Sequence, residues 1–177
     1  LGLLDQLVGM DSFLYINAPE AIERIEAENV TEVAPNFELN IETLLDLEPS
    51  LVMSDDFNPD RLALLADNDI TAVVNTEYLE TSPLGQAEWL KYTSLFFNAE
   101  ATATEVYDEI VSDYEAVAEL AAEIAADERP VVLWNAISPF SDSWGIPGVE
   151  TIPGQLIEDA GGIVALGDEA DPQGVAY

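Results

Sequence analysis

Between Ala99 and Asp127 the apolar residues Ala103, Tyr107, Ile110, Tyr114, Val117, Ala121 and Ile124 recur at spacings of 4, 3, 4, 3, 4 and 3. That period places them on one stripe of a helix while Glu and Asp fill the other side. At about 1.5 Å per residue the stretch predicts a rod of roughly 40 Å. Pro130 ends it, because a proline ring cannot continue a helix. A rod as long as a small domain is wide either lies along one sheet or joins two bodies. Alternating short strands and helices on both sides favour the second arrangement. The expectation is an α/β fold with two parallel-sheet lobes, residues 1–98 and 129–177, joined by a connecting helix over 99–128.

Taken in order, Leu7 to Met10 reads as a short strand, left by a loop that carries Phe13 and Tyr15. Pro19 opens a helix to about Ala27, since proline suits the first helical position. Asn29 to Val33 is a brief strand, broken by Pro35-Asn36. Asn40 is the expected N-cap of a helix over Ile41–Leu47, with Glu42 in the first turn, where a carboxylate favours the helix dipole. Leu51-Val52-Met53 reads as a buried strand. Asn58-Pro59 opens a helix to about Ala66, Asp67-Asn68-Asp69 turns the chain, and Ile70–Val74 is the next strand. Strand, helix, strand with no hairpin signal between is the pattern of parallel crossovers. Pro83 to about Phe97 is a further helix, with Trp89, Leu90, Leu95 and Phe96 as its apolar face. Beyond the rod, Val131–Trp134 restarts the strand pattern and Asn135 to Thr151 is a long loop. Pro153–Ala160 is a helix closed by Gly161-Gly162, and Ile163–Ala165 is a second strand. Both ends of the sequence read as cut.

Charge narrows the partners. Four basic residues, Arg24, Arg61, Lys91 and Arg129, face 36 acidic ones, for a formal net charge of −32. Nucleic acid and anionic membranes are disfavoured, since both need Lys and Arg to neutralise phosphate. So acidic a surface repels itself, and salt relieves the repulsion, which points to a salt-loving source. The chain has neither cysteine nor histidine, which removes disulfides, thiolate sites, the commonest zinc ligand and the usual general base. No apolar run is long enough to span a membrane, and no signal segment opens the chain.

Catalytic motifs are absent. There is no G-x-S-x-G, no G-x-x-x-x-G-K-[ST] and no G-x-G-x-x-G, so neither a nucleophile elbow nor a phosphate-binding loop is encoded. The Asp55-Asp56, Asn58 and Asp60 group lacks the glycine and terminal glutamate of a calcium loop. Aromatic placement is more telling. In open parallel sheets ligands sit beyond the carboxyl ends of strands, and the loops there hold Phe13, Tyr15, Phe57, Tyr78, Phe140 and Trp144. Each alone reads as a loop anchor, whereas the set suits an apolar site for a sizeable organic ligand.

The run from Asn40 to Met53, NIETLLDLEPSLVM, resembles the N-x-E-x-[IL]-x-x-L-x-P-D-L-V segment of periplasmic substrate-binding proteins of the siderophore, haem and cobalamin class, which serve ABC transporters. Leu7-Val8-Gly9-Met10, the Asp69–Val74 strand entry, the single long helix and Leu156–Gly162 match in the same order. Ser50 stands where that family usually has Asp. The resemblance implies two α/β lobes joined by a rigid helix, a metal-chelate ligand held between them, and a glutamate on each lobe docking to arginines of the permease dimer. Glu42 takes the first docking position. Its counterpart is expected after Tyr177, and the first strand of the first lobe before Leu1. Binding rather than catalysis is implied, with no cofactor, outside the cytoplasmic membrane, either free or lipid-anchored. The ligand-facing residues on this reading are Phe13, Tyr15, Asn36, Phe57 and Tyr78 from the first lobe, and Trp134, Phe140 and Trp144 from the second. A chelatase-like or nitrogenase-like enzyme module and an acidic extracellular interaction domain are the alternatives.

Overall fold

Proline and short polar caps set where the helices begin, and the strands fall between them. The computed structural model describes residues 1–134, 136–137, 144–167 and 175–176. Its contacts divide the chain into two units, Leu1–Thr76 and Glu77–Tyr177.

In the first unit β1 (Gly9–Met10), α1 (Pro19–Glu26) and β2 (Thr31–Glu32) form one strand-helix-strand crossover. After α2 (Ile41–Leu47), β3 (Val52–Ser54), α3 (Pro59–Asp67) and β4 (Ala72–Val74) form another. Both strand pairs are parallel, with Gly9 opposite Thr31 and Val52 opposite Ala72, as the missing hairpin signals predict. Asn40 Oδ1 accepts from Thr43 N at 3.1 Å and Asn58 Oδ1 from Arg61 N at 3.3 Å, so both expected caps satisfy a helix-start N–H. The core is Val33, Leu44 and Leu65, with Leu39, Ile41, Leu47, Val52, Ile70 and Ala72 packed on it. Gly9 lies close to this core: a Cβ there would come within 3.1 Å of Leu47 Cδ1 and 3.2 Å of Val33 Cγ1. Sequence reasoning errs on the third strand, which runs one residue later than expected and leaves Met53 exposed. In this pleat Val52 faces the core, so its neighbour faces away.

The second unit holds α4 (Pro83–Ser94), α5 (Glu100–Ala122), β5 (Val131–Val132), β6 (Ala136–Ile137), β7 (Trp144–Pro147), α6 (Ile152–Asp159), β8 (Ile163–Val164) and β9 (Val175–Ala176). Strands β5 and β8 are parallel, whereas β7 pairs antiparallel with β6 and with β9. The stretch expected to be one loop from Asn135 to Thr151 therefore contains strands. Two-residue pairings carry too little alternation to announce themselves in a sequence.

The long helix exists but is shorter than expected. It has 23 residues, about 34 Å at the usual rise, and stops at Ala122. Residues 123–129 are good helix formers, so propensity did not end it. Its last turn tightens instead, with Glu123 N bonded to Leu120 O and Ile124 N to Ala121 O, the i to i−3 pattern of a closing helix. Ile124 then packs where α6 ends. Gly161 has φ +82°, and a Cβ on it would lie 2.8 Å from Ile124 Cδ1. Gly161 N bonds Glu158 O, and Gly162 N bonds Ile157 O at 2.8 Å, which is the paired closure of a Schellman motif and needs this left-handed glycine.

The expected stripe on α5 is buried at Ala103 and Ala121 and half-buried at Tyr107, Tyr114 and Ile124, while Ile110 and Val117 are exposed. Helix α4 packs along α5, and Lys91 Nζ sits 3.8 Å above the Tyr107 ring, joining the two helices by a cation–π contact. Leu95 and Phe96, expected on the apolar face of this helix, lie beyond its end at Ser94 and are exposed, with the Phe96 ring edge-on to Tyr92.

Candidate ligand-binding loops

The first unit has one distinctive surface, at the carboxyl ends of β1 and β2. Because the two strands are parallel and adjacent, the loops leaving them start side by side. The ladder continues past the strands: Val33 N bonds Met10 O and Ala34 N bonds Asp11 O, both at 2.9 Å. Glu32 Oε1 then accepts from Phe13 N at 3.0 Å, which ties the loop after β1 to the end of β2.

Tyr15 and Phe37 meet above this tie. Their ring centroids are 6.4 Å apart with planes at 30°, yet they are 74% and 63% exposed. Two large rings side by side and mostly exposed form an apolar surface open to a partner. Phe37 is not among the residues expected to face ligand. Its placement depends on Asn36 and Phe37 at φ 58° and 65°, two successive left-handed residues. Asparagine tolerates that region, while an aromatic residue there is uncommon. The sequence signal for it is slight: an aromatic directly after Pro35-Asn36, in the loop beyond a strand.

Phe13 is half-buried, and Asn36 is exposed, contributing its backbone conformation to the turn. Phe57, 70% exposed, follows β3 in a turn held by Asp55 Oδ1, which accepts from Phe57 N at 3.0 Å. Asp55 thus serves a local turn. Among the described residues no group of three or more His, Cys, Asp or Glu is arranged to hold a metal ion. Arg61, at the start of α3, bonds Asp11 at 2.5 Å in the loop after β1.

In the second unit Tyr78 lies in a 3-10 turn, Glu77–Leu79, and Trp134 is 56% exposed two residues after β5. Trp144 lies in β7, its side chain outside the described residues, as is Phe140 altogether. The structure thus brings Phe13, Tyr15 and Asn36 together with Phe37; Phe57 belongs to a separate loop of the same unit. Glu42 is exposed in the first turn of α2.

The titration that stands out lies elsewhere, between α5 and α6. The Tyr114 hydroxyl donates to Asp159 Oδ2. Burial first, then that hydrogen bond and the Asp159 charge, push the phenol up to about 12.

Among the described residues no helix is long and apolar enough to cross a membrane. Three solved structures share the fold. The periplasmic haem-binding protein HutB of Vibrio cholerae superposes with a TM-score of 0.70 at 19% identity, over 96% of this chain and 60% of that one. For the periplasmic haem-binding protein RhuT of Roseiflexus sp. RS-1 in apo form the TM-score is 0.69 at 19% identity, over 98% and 64%. An ABC transporter substrate-binding protein of Listeria monocytogenes EGD-e gives 0.61 at 21% identity, over 91% and 58%. The chain therefore spans about three fifths of the length of these relatives. At such identities the likeness speaks to fold. Sequence carries the rest: the profile of the periplasmic binding protein family matches residues 1–174, and the chain belongs to that family.

Proposed function

We propose that this chain is part of the solute-binding component of an ABC uptake system, capturing an iron-siderophore, haem or corrinoid outside the cytoplasmic membrane and delivering it to a permease dimer. It acts by binding and not by catalysis. The observation that carries this reading is the exposed Tyr15–Phe37 pair at the carboxyl ends of two parallel strands, where open α/β sheets take their ligands. Membership of the periplasmic binding protein family supports it, as does the NIETLLDLEPSLVM segment.

The ligand-facing set in this reading is Phe13, Tyr15, Asn36, Phe57, Tyr78, Trp134, Phe140 and Trp144, to which Phe37 is now added. In this reading residues 1–98 belong to the first lobe, 99–128 to the connecting segment, whose helix is α5 (Glu100–Ala122), and 129–177 to the start of the second. Glu42 is the docking carboxylate for the permease. Its exposure at a helix start, capped by Asn40 instead of by its own side chain, leaves it available to an arginine. Titration with ferric siderophores, haem and cobalamin, read by quenching of the three tryptophans, tests the reading. Saturable binding of one class supports it, and no binding of any class refutes it. Reversing the charge at Glu42 is expected to reduce uptake with affinity intact.

A further inference from the structure

Resting on that reading, we propose that the loops around Tyr15 and Phe37 select iron chelates that carry no net negative charge, and discriminate against anionic ones. The first unit has two basic residues, Arg24 and Arg61. Arg24 is engaged at the other end of β1: Nη1 bonds Asp5 Oδ1 at 2.6 Å and Nη2 bonds Leu7 O at 3.2 Å. Arg61 is the cation on the loop side, and Asp11 holds it, with only 15% of its side chain exposed. Both guanidiniums already have a carboxylate partner within the unit, which offsets the positive charge a ligand carboxylate or catecholate would meet.

Negative charge, by contrast, is built into the loops. Glu32 Oε1 is fixed by Phe13 N and Asp55 Oδ1 by Phe57 N, each at 3.0 Å. Glu32 holds the loop that carries Tyr15, and Asp55 the separate turn that carries Phe57, so both positions are set by the loops and not by a flexible side chain alone. A chelate resting on the Tyr15 and Phe37 rings gains apolar burial and meets a field from fixed carboxylates, while Arg61 of the same unit is already paired with Asp11. Apolar contact with the rings is open to chelates of either charge, whereas the field of the carboxylates opposes anionic ones.

The test is equilibrium dialysis of the full chain against radio-iron-labelled ferrioxamine B, a cation, ferrichrome, which is neutral, and ferric enterobactin, a trianion, at low and high NaCl. The expected result is binding of the cation or the neutral chelate at least about tenfold tighter than the trianion at low salt, with the gap closing as salt screens the field. The Glu32→Gln and Asp55→Asn variant keeps both acceptor oxygens and removes both charges. It should narrow the ratio of neutral to trianion affinity on the order of fivefold per charge removed. Trianion binding equal to or tighter than the others, or a neutral-to-trianion ratio unmoved by the variant, overturns the charge selection while leaving the binding function standing. Failure of all three chelates to bind overturns the selection, and the binding function falls with it when haem and cobalamin also fail to bind.

Discussion

The two units use aromatic residues in opposite ways. In the second unit the Trp89 and Tyr92 rings of α4 stand 5.0 Å apart at 68°, and the ring of Phe96, just past the helix end, lies 5.3 Å from Tyr92 at 81°, the edge-on geometry of rings that pack on one another. Trp89 Nε1 also donates to Glu80 Oε1 at 2.8 Å, pinning the helix to the turn before it. Tyr15 and Phe37, in the first unit, are tilted by only 30° and open to solvent on loops. The first group stabilises its unit; the second contributes little stability and presents area. Ring position relative to strand ends, and not ring content, separates a structural cluster from a binding one.

Substitutions should separate them by size of effect. Trp89→Ala removes a packed ring and a hydrogen bond, and should cost about 2–3 kcal/mol in urea unfolding. Equal stability of variant and parent would place Trp89 among the presenting rings. Asn40→Ala, which takes the acceptor from Thr43 N, should cost about 1 kcal/mol by the same measurement. Tyr15→Ala should stay within about 0.5 kcal/mol, as exposed side chains do; a loss as large as that of Trp89→Ala would break the contrast.

The smallest effect is confined to high pH. With the Tyr114 phenol raised from 10.0 to about 12, the folded state holds this proton more tightly than the unfolded chain. Its contribution is complete below pH 10 and is lost as pH rises towards 12. Tyrosinate absorbance should show one late-titrating phenol, absent in Tyr114→Phe, and that variant should lack the corresponding fall in stability between pH 10 and 12.

Much of the first unit was legible because its signals are local. Asn40 and Asn58 cap as expected, Pro19 and Pro59 open helices, and Asp69 takes the left-handed φ of 57° that an Asp-Asn-Asp turn suggests. What escaped reading depends on distant partners. The end of α5 is set by Ile124 against Gly161, some 37 residues on, and β6 and β7 are too short to show a period. At the site, Tyr15 was visible as an aromatic beyond a strand. Phe37 was not, because its partnership with Tyr15 follows from two backbone angles and a parallel register, neither of which a residue pattern spells out.

The most direct test of the central claim is the dissociation constant of the tightest chelate for the parent chain and for the Tyr15→Ala, Phe37→Ala double variant, each with its unfolding curve. The account predicts affinity lower by tenfold or more, each truncated ring weakening binding by about 1–3 kcal/mol, and stability nearly unchanged. Unaltered affinity in a folded double variant would contradict it.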